Sequence, residues 1–276
     1  MKLLQKANID FLIIGGGPAG ISAAIQASRL GLKAVIIEKN RLGGQANAAP
    51  WIENYPGFSD GIAGSDLMDS FTKQLRKWNA EIIYDVVVDI EKNAKNFIVC
   101  TSLRRYESRS VLLALGLLPK LLGIKREIPY ADPFVTEHRN KSVVVIGGGD
   151  AAFDLATAFA KKARSVRIVM RSEKPRALPR LVERAVESGV RIETDHTISD
   201  IKADIVVSCI GKEPCHPLLE KLFDKFGVFE LKPGMAPNIP GLFLAGDLCR
   251  GDDRHIAIAA GDGLTATQLV SRHLNL

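Results

Sequence analysis

The chain has little cysteine, and none of it is arranged for chemistry between neighbouring sulfurs. Among 276 residues there are four, Cys100, Cys209, Cys215 and Cys249, and no two stand in a Cys-x-x-Cys spacing. A dithiol relay needs two sulfurs whose Cα atoms lie about 4.4–6.8 Å apart, and no local pair supplies it. Few, scattered thiols suit a reducing cytosol, so a cytoplasmic location is expected. Apolar runs of the ~20 residues needed to span a bilayer are also missing. Met1 to Asp10 reads as a short polar lead rather than a signal peptide, and no membrane insertion is expected. Low-complexity tracts are absent. The net charge is +6, yet Arg104-Arg105, Lys120, Lys125-Arg126 and Lys161-Lys162 are spread along the chain. No basic helix or aromatic-interleaved patch appears, so no nucleic-acid partner is expected, and no metal site is either.

What the chain does have is two glycine-rich turns, each closing a short apolar strand: Gly15-Gly16-Gly17-Pro18-Ala19-Gly20 and Gly147-Gly148-Gly149-Asp150-Ala151-Ala152. In such a turn the first glycine permits the tight bend. The second lets backbone N–H groups approach a pyrophosphate, and the third position packs helix on strand. A phosphate then sits at a helix N-terminus, where free amides and the helix dipole favour an anion. Two turns imply two nucleotide-binding βαβ units.

The residue that ends the second strand of each unit separates them. Ala34-Val35-Ile36-Ile37 ends in Glu38, eighteen residues past Gly20, where a carboxylate accepts hydrogen bonds from an adenosine ribose. The equivalent strand, Val166-Arg167-Ile168-Val169, is followed by Met170 and Arg171, with Lys174 and Arg176 beyond. Cations there suit a 2′-phosphate. The first site therefore reads as FAD and the second as NADPH, with NADH left open.

Several motifs, in order, resemble those of the thioredoxin reductase-like family, the small two-domain pyridine nucleotide-disulfide oxidoreductases. Gly15 to Gly20 resembles the family's FAD turn. Gly43-Gly44-Gln45 and Glu53-Asn54-Tyr55-Pro56-Gly57 resemble its flavin loops. Ala114-Leu115-Gly116-Leu117-Leu118-Pro119 is similar to its crossover motif, with Leu115 in place of Thr. Met170-Arg171-Ser172 with Arg176-Ala177 resembles its NADPH motif. Gly241 to Asp247 matches its closing flavin motif, followed by Arg254-His255-Ile256. The resemblance implies FAD contacts at Gly15, Gly17, Pro18, Ala19, Gly20, Glu38, Lys39, Gly44, Gln45, Asn54, Val87, Ala114, Gly116, Gly246, Asp247, Arg254, His255 and Ile256. It implies NADPH contacts at Gly147, Gly149, Asp150, Ala151, Arg171, Arg176 and Gly211. The expected fold is α/β, with two Rossmann-like, three-layer ββα domains of the glutathione/thioredoxin reductase kind. A discontinuous FAD-binding domain would span 1–117 and 236–276, and an NAD(P)H-binding domain 118–235. The first would carry a β-meander through Ile82-Ile83-Tyr84, Val86-Val87-Val88 and Phe97-Ile98-Val99. In the second, only about ten residues separate Ile192 from Asp204, leaving little room for one. A homodimer is expected from the resemblance alone.

The family places its redox pair just before the second glycine turn, and here that stretch, Pro129 to Thr136, holds no cysteine. Direct thioredoxin reduction of the usual kind is not expected. Cys100 and Cys209 read as buried small hydrophobes. Cys249, two residues past Asp247, is the candidate for a thiol near the flavin, and His255 the candidate for tuning it. Otherwise the flavin itself is the catalytic group. NADPH would pass hydride to flavin N5, Asp247 would hold a ribityl hydroxyl, and the last helix would aim its N-terminus at the N1/O2 edge. The electrons would leave for a non-dithiol acceptor, first of all an acidic ferredoxin or flavodoxin steered by the basic surface. The alternatives are an NAD(P)H oxidase or quinone/flavin reductase, a disulfide reductase acting without Cys-x-x-Cys, and a non-catalytic flavoprotein redox sensor.

Overall fold

A computed structural model describes residues 4–130, 137–194, 201–214, 216–236 and 238–276. The family's dithiol stretch from 131 to 136, and Cys215, lie outside them. The first unit is β1 (Leu4–Ile14), α1 (Pro18–Arg29) and β2 (Ala34–Glu38), followed by α2 (Gly64–Lys77), β3 (Glu81–Tyr84), β4 (Val87–Lys92), β5 (Phe97–Thr101) and β6 (Arg105–Leu113). Two short strands, β7 (Leu118–Pro119) and β8 (Glu127–Pro129), lead to the second unit. It comprises β9 (Ser142–Ile146), α3 (Asp150–Ala160), β10 (Ser165–Val169), α4 (Pro179–Glu187), β11 (Arg191–Glu193) and β12 (Ile205–Ser208). The chain closes with β13 (Lys212–Glu213), α5 (Pro217–Phe226), β14 (Gly234–Met235), β15 (Leu242–Leu244) and α6 (Ile256–His273).

The strands form two main sheets. In the first, β15, β6, β1, β2 and β3 run parallel in that order, with β14 antiparallel on one edge. Parallel strands are covered on both faces and so read as unbroken apolar runs, and every residue of β2 is buried. One face carries α1 and α6, packed through Ile21, Ala24, Ala266 and Val270. The other carries β4, β5 and α5, packed through Ile90, Val99, Leu219 and Leu222. Burying each such side chain favours the fold by roughly 1.5–3 kcal/mol. The second sheet, in the order β11-β10-β9-β12-β8, is parallel throughout. The antiparallel pair β7–β13 forms a third, two-stranded sheet. No helix among the described residues is long and apolar enough to cross a membrane.

Two expectations need correcting. Ile82-Ile83-Tyr84 is not part of the meander, because β3 pairs in parallel with β2, Ile82 opposite Ile36; the antiparallel layer is β4, β5 and the first half of β6. The chain also rejoins the first sheet before residue 236. Leu218, Leu219 and Leu222 of α5 belong to its core, and β14 pairs with β15. In the second sheet, as expected from the short stretch between Ile192 and Asp204, no β-meander is seen among the described residues. α3 and α4 cover one face, while Val144, Ile146, Val169 and Val206 on the other pack, among the described residues, against Leu122, Ile124, Ile201, Ala203 and Ile210.

Candidate nucleotide sites

Four separate segments converge at the first glycine turn, and the glycines show why. Gly15 takes φ +106°, and a Cβ there would lie 2.3 Å from the Ala114 carbonyl oxygen, so the crossover after β6 presses against the turn. A Cβ on Gly20 would sit 1.9 Å from the Gly15 oxygen, which is the close helix-on-strand contact the third glycine permits. A Cβ on Gly44 would lie 3.3 Å from Gly17 Cα, and the Gly43 amide donates to the Gly16 carbonyl at 2.7 Å. Gly246, at φ +78°, lies against Ala19. Gly17 is the N-cap of α1, with Pro18 in the first turn of that helix.

Glu38 is buried at the end of β2 and accepts from the Gly16 amide at 2.7 Å and the Asn40 amide at 2.8 Å. A carboxylate offers about four lone-pair sites, so two remain for ribose hydroxyls. Lys39 beside it is exposed. The Asn54 amide and the His255 ring nitrogen Nδ1 are 3.3 Å apart, tying the Glu53–Gly57 loop to the start of α6. Ile256, the first residue of α6, packs against the cluster of Ile52, Leu67 and Met68. Val87 is different: its side chain is core, in the same cluster as Ile37 and Ile90, so only its backbone is left for a ligand.

Asp247 is half-buried beside the turn. Burial raises its carboxyl above the usual range, while Lys212 and Arg254 pull the other way and Asp262 adds to the rise. Asp262 was not anticipated from the sequence. Only 5% exposed, it accepts from the Gly246 amide at 3.1 Å, from Arg250 Nε at 2.9 Å and from Arg250 Nη2. One helical residue therefore fixes the Gly246–Asp247 turn. Its signal was a lone acid between Gly261 and Gly263 on an otherwise apolar helix face. Gly263 lets α6 touch α1, since a Cβ would come 2.1 Å from the Ala19 oxygen.

This cleft fits a flavin dinucleotide on the structure's own terms. Gln45 donates through Nε2 to the Leu117 carbonyl, and its Oε1 is buried without a partner among the described residues. A buried acceptor left unpaired costs about 1–3 kcal/mol, and a donor on a bound ring would remove that cost. Cβ atoms on Gly17 and Gly116 would meet nothing within 4 Å, so the backbone there faces open space.

The second turn opens on a cavity of about 200 Å³ lined by Gly147, Gly148, Met170, Arg171, Ser172, Arg176, Cys209 and Ile210. Gly147 has φ +142° and presses on the Cys209 carbonyl, as Gly15 does on Ala114. Arg176 and Ala177 both donate backbone amides to the Gly148 carbonyl, at 2.8 and 3.0 Å, which brings the arginine loop to the turn. The structure thus gathers Gly147, Arg171 and Arg176 around one space, with Gly149 as the N-cap of α3. The Asp150 side chain instead serves the protein's own backbone. Its carboxylate accepts from the Leu178 amide at 2.9 Å and holds the start of α4. Ala151 follows in the first turn of α3, and Gly211, at φ +109°, bonds its carbonyl to the Lys120 amide where β13 meets β7.

Cys249 and Cys209 are not poised for attack. Burial pushes Cys249 up to about 12, with Asp262 adding to the rise, and burial likewise pushes Cys209 up to about 12. A nucleophilic cysteine needs the opposite environment. Between the two turns, Lys212 Nζ stands 4.6 Å from the Tyr130 ring centroid, and burial lowers the Lys212 pKa. Among the described residues, no group of His, Cys, Asp or Glu side chains could hold a metal ion.

The model of the pyridine nucleotide-disulphide oxidoreductase family matches residues 9–263. The thioredoxin reductase of Helicobacter pylori strain J99 is 30% identical over 307 residues, covering 96% of this chain and 99% of that protein. That of Mycolicibacterium smegmatis is 32% identical over 294 residues, covering 94% of each. Among solved structures, Lactococcus lactis thioredoxin reductase in its FR conformation superposes with a TM-score of 0.84 at 26% identity, over 98% of this chain and 100% of that one.

Proposed function

The chain belongs to the pyridine nucleotide-disulphide oxidoreductase family, and on that premise we propose that it delivers the electrons of NADPH to an acceptor other than a Cys-x-x-Cys dithiol. It is an FAD-dependent NAD(P)H oxidoreductase of the thioredoxin reductase type. Bound FAD supplies the chemistry that accepts a hydride and passes electrons on. The observation that carries the acceptor reading is that two nucleotide turns stand on two sheets in a chain without a Cys-x-x-Cys pair.

In this reading the first sheet's domain holds FAD and the second holds NADPH. Glu38 takes the ribose, Asp247 the ribityl chain, and Gln45 Oε1 a ring donor, while the start of α6 presents a positive dipole end to the reduced ring. Arg171 and Arg176 take the 2′-phosphate, the group that separates NADPH from NADH. Asp262 keeps the Gly246–Asp247 turn in place.

The proposed acceptor is an acidic one-electron carrier of the ferredoxin or flavodoxin type, attracted by a chain with a net charge of +6, and the proposed assembly is a homodimer. The test is steady-state NADPH oxidation with a panel of acceptors: ferredoxin, flavodoxin, a quinone, free flavin, oxygen and thioredoxin. Saturable turnover with an acidic carrier that weakens as salt rises supports the proposal. Turnover with thioredoxin alone overturns it.

A further inference from the structure

Hydride transfer requires the reacting atoms to come within about 3–3.5 Å, and the two nucleotide turns here stand on different sheets. Some contact must therefore set one domain over the other. Glu53, in the loop between β2 and α2, provides it. Its Oε1 accepts from Arg180 Nη2 at 3.1 Å and from Arg184 Nη2 at 3.0 Å. Arg180 and Arg184 are four residues apart on α4, so both guanidinium groups lie on one face of that helix. The Glu53 and Arg184 side chains are only 33% and 32% exposed.

The contact is wired to both turns. On one side, Asn54 follows Glu53 and meets His255 at the start of α6, whose Asp262 holds Gly246. On the other, Asp150 at the second turn holds the amide of Leu178, the N-cap of α4. A chain of contacts thus runs from the Gly246–Asp247 turn to the second glycine turn and crosses from one unit to the other at Glu53.

We propose that Glu53 is a positioning residue: by holding Arg180 and Arg184 together it fixes the second nucleotide site over the first. The proposal rests on the two-site reading above. The test compares the wild-type holoenzyme with Glu53→Gln, with Glu53→Arg, with Arg180→Glu/Arg184→Glu, and with the charge-exchanged Glu53→Arg/Arg180→Glu/Arg184→Glu. Rapid mixing with saturating NADPH gives the rate of flavin bleaching, titration gives the NADPH affinity, and X-ray scattering gives the domain arrangement.

Glu53→Gln should slow bleaching about fivefold, the factor by which part-exposed ion pairs bias an equilibrium. It should change the scattering profile and leave FAD content and NADPH affinity intact. Charge exchange should recover rate and profile that Glu53→Arg and Arg180→Glu/Arg184→Glu each lose. Unchanged bleaching and scattering in Glu53→Gln, or no recovery on exchange, overturns the proposal. If Glu53→Gln loses FAD, the wild type in about 1 M salt applies the same test, because screening then acts within about 3 Å. A wild type whose flavin NADPH does not bleach defeats the two-site reading, while the scattering comparison still judges the ion pairs.

Discussion

The carboxylate of Glu38 accepts a hydrogen bond from the amide of Gly16 at 2.7 Å, twenty-two residues earlier in the chain. The end of β2 and the first glycine turn are thus one unit: the residue placed for the ribose also sets the shape of the phosphate loop. Replacing Glu38 with Ala leaves the Gly16 amide buried and unpaired, at about 1–3 kcal/mol. Glu38→Ala should weaken FAD binding about tenfold or more, and Glu38→Gln, which keeps an acceptor, by less. Fluorescence of FAD released from or taken up by the protein measures both.

Arg171 and Arg176 flank the second turn, with no acid at the ribose position. A hydrogen bond to a charged group is worth about 1.5–3 kcal/mol, so Arg171→Gln or Arg176→Gln should weaken NADPH binding roughly 10- to 100-fold and leave NADH binding nearly unchanged. Titration calorimetry with the two nucleotides separates the effects. Equal losses for both would place the arginines away from the 2′-phosphate.

Asp154 on α3 has its carboxyl raised to about 6 by burial, with Arg184 pulling down and Asp150 and Glu53 pushing up. Its unfolded value is about 3.9. A raised carboxyl favours the fold at low pH, and that contribution fades as pH rises through about 4 to 6. Asp154→Asn should therefore melt with the wild type near pH 4 and above it from pH 7, with the gap opening between. Melting curves across that range check the sign.

Cys249 and Cys209 both have their thiols pushed up to about 12, so at neutral pH neither supplies thiolate. Cys249→Ser should retain flavin bleaching by NADPH, and iodoacetamide should modify the folded protein slowly. Loss of NADPH-dependent DTNB reduction in Cys249→Ser would instead favour a disulfide reductase working through that thiol.

The parts of the fold that rest on local pattern were readable in the sequence. Both glycine turns, the strand ending in Glu38 and the arginine loop after β10 stand where their neighbours in the chain dictate. β3 lies in the parallel sheet rather than the meander, and Ile82-Ile83, apolar on successive residues, is the mark of a strand covered on both faces. The return of α5 to the first sheet was hidden because its partners, Ile90 and Val99, lie more than a hundred residues upstream. Glu53 with Arg184, 131 residues apart, leaves no trace in either local stretch. Asp262 had a legible setting between two glycines, but its partner Gly246 becomes a neighbour only once α6 folds back along α1.

In the proposed reaction NADPH reduces the flavin, and no second redox centre in the chain takes up electrons. Anaerobic titration of the purified protein with NADPH, following visible absorbance, tests it most directly. One equivalent of NADPH per flavin should bleach the chromophore completely, and faster than NADH does. Uptake of two equivalents would reveal a redox-active cysteine pair and contradict the account.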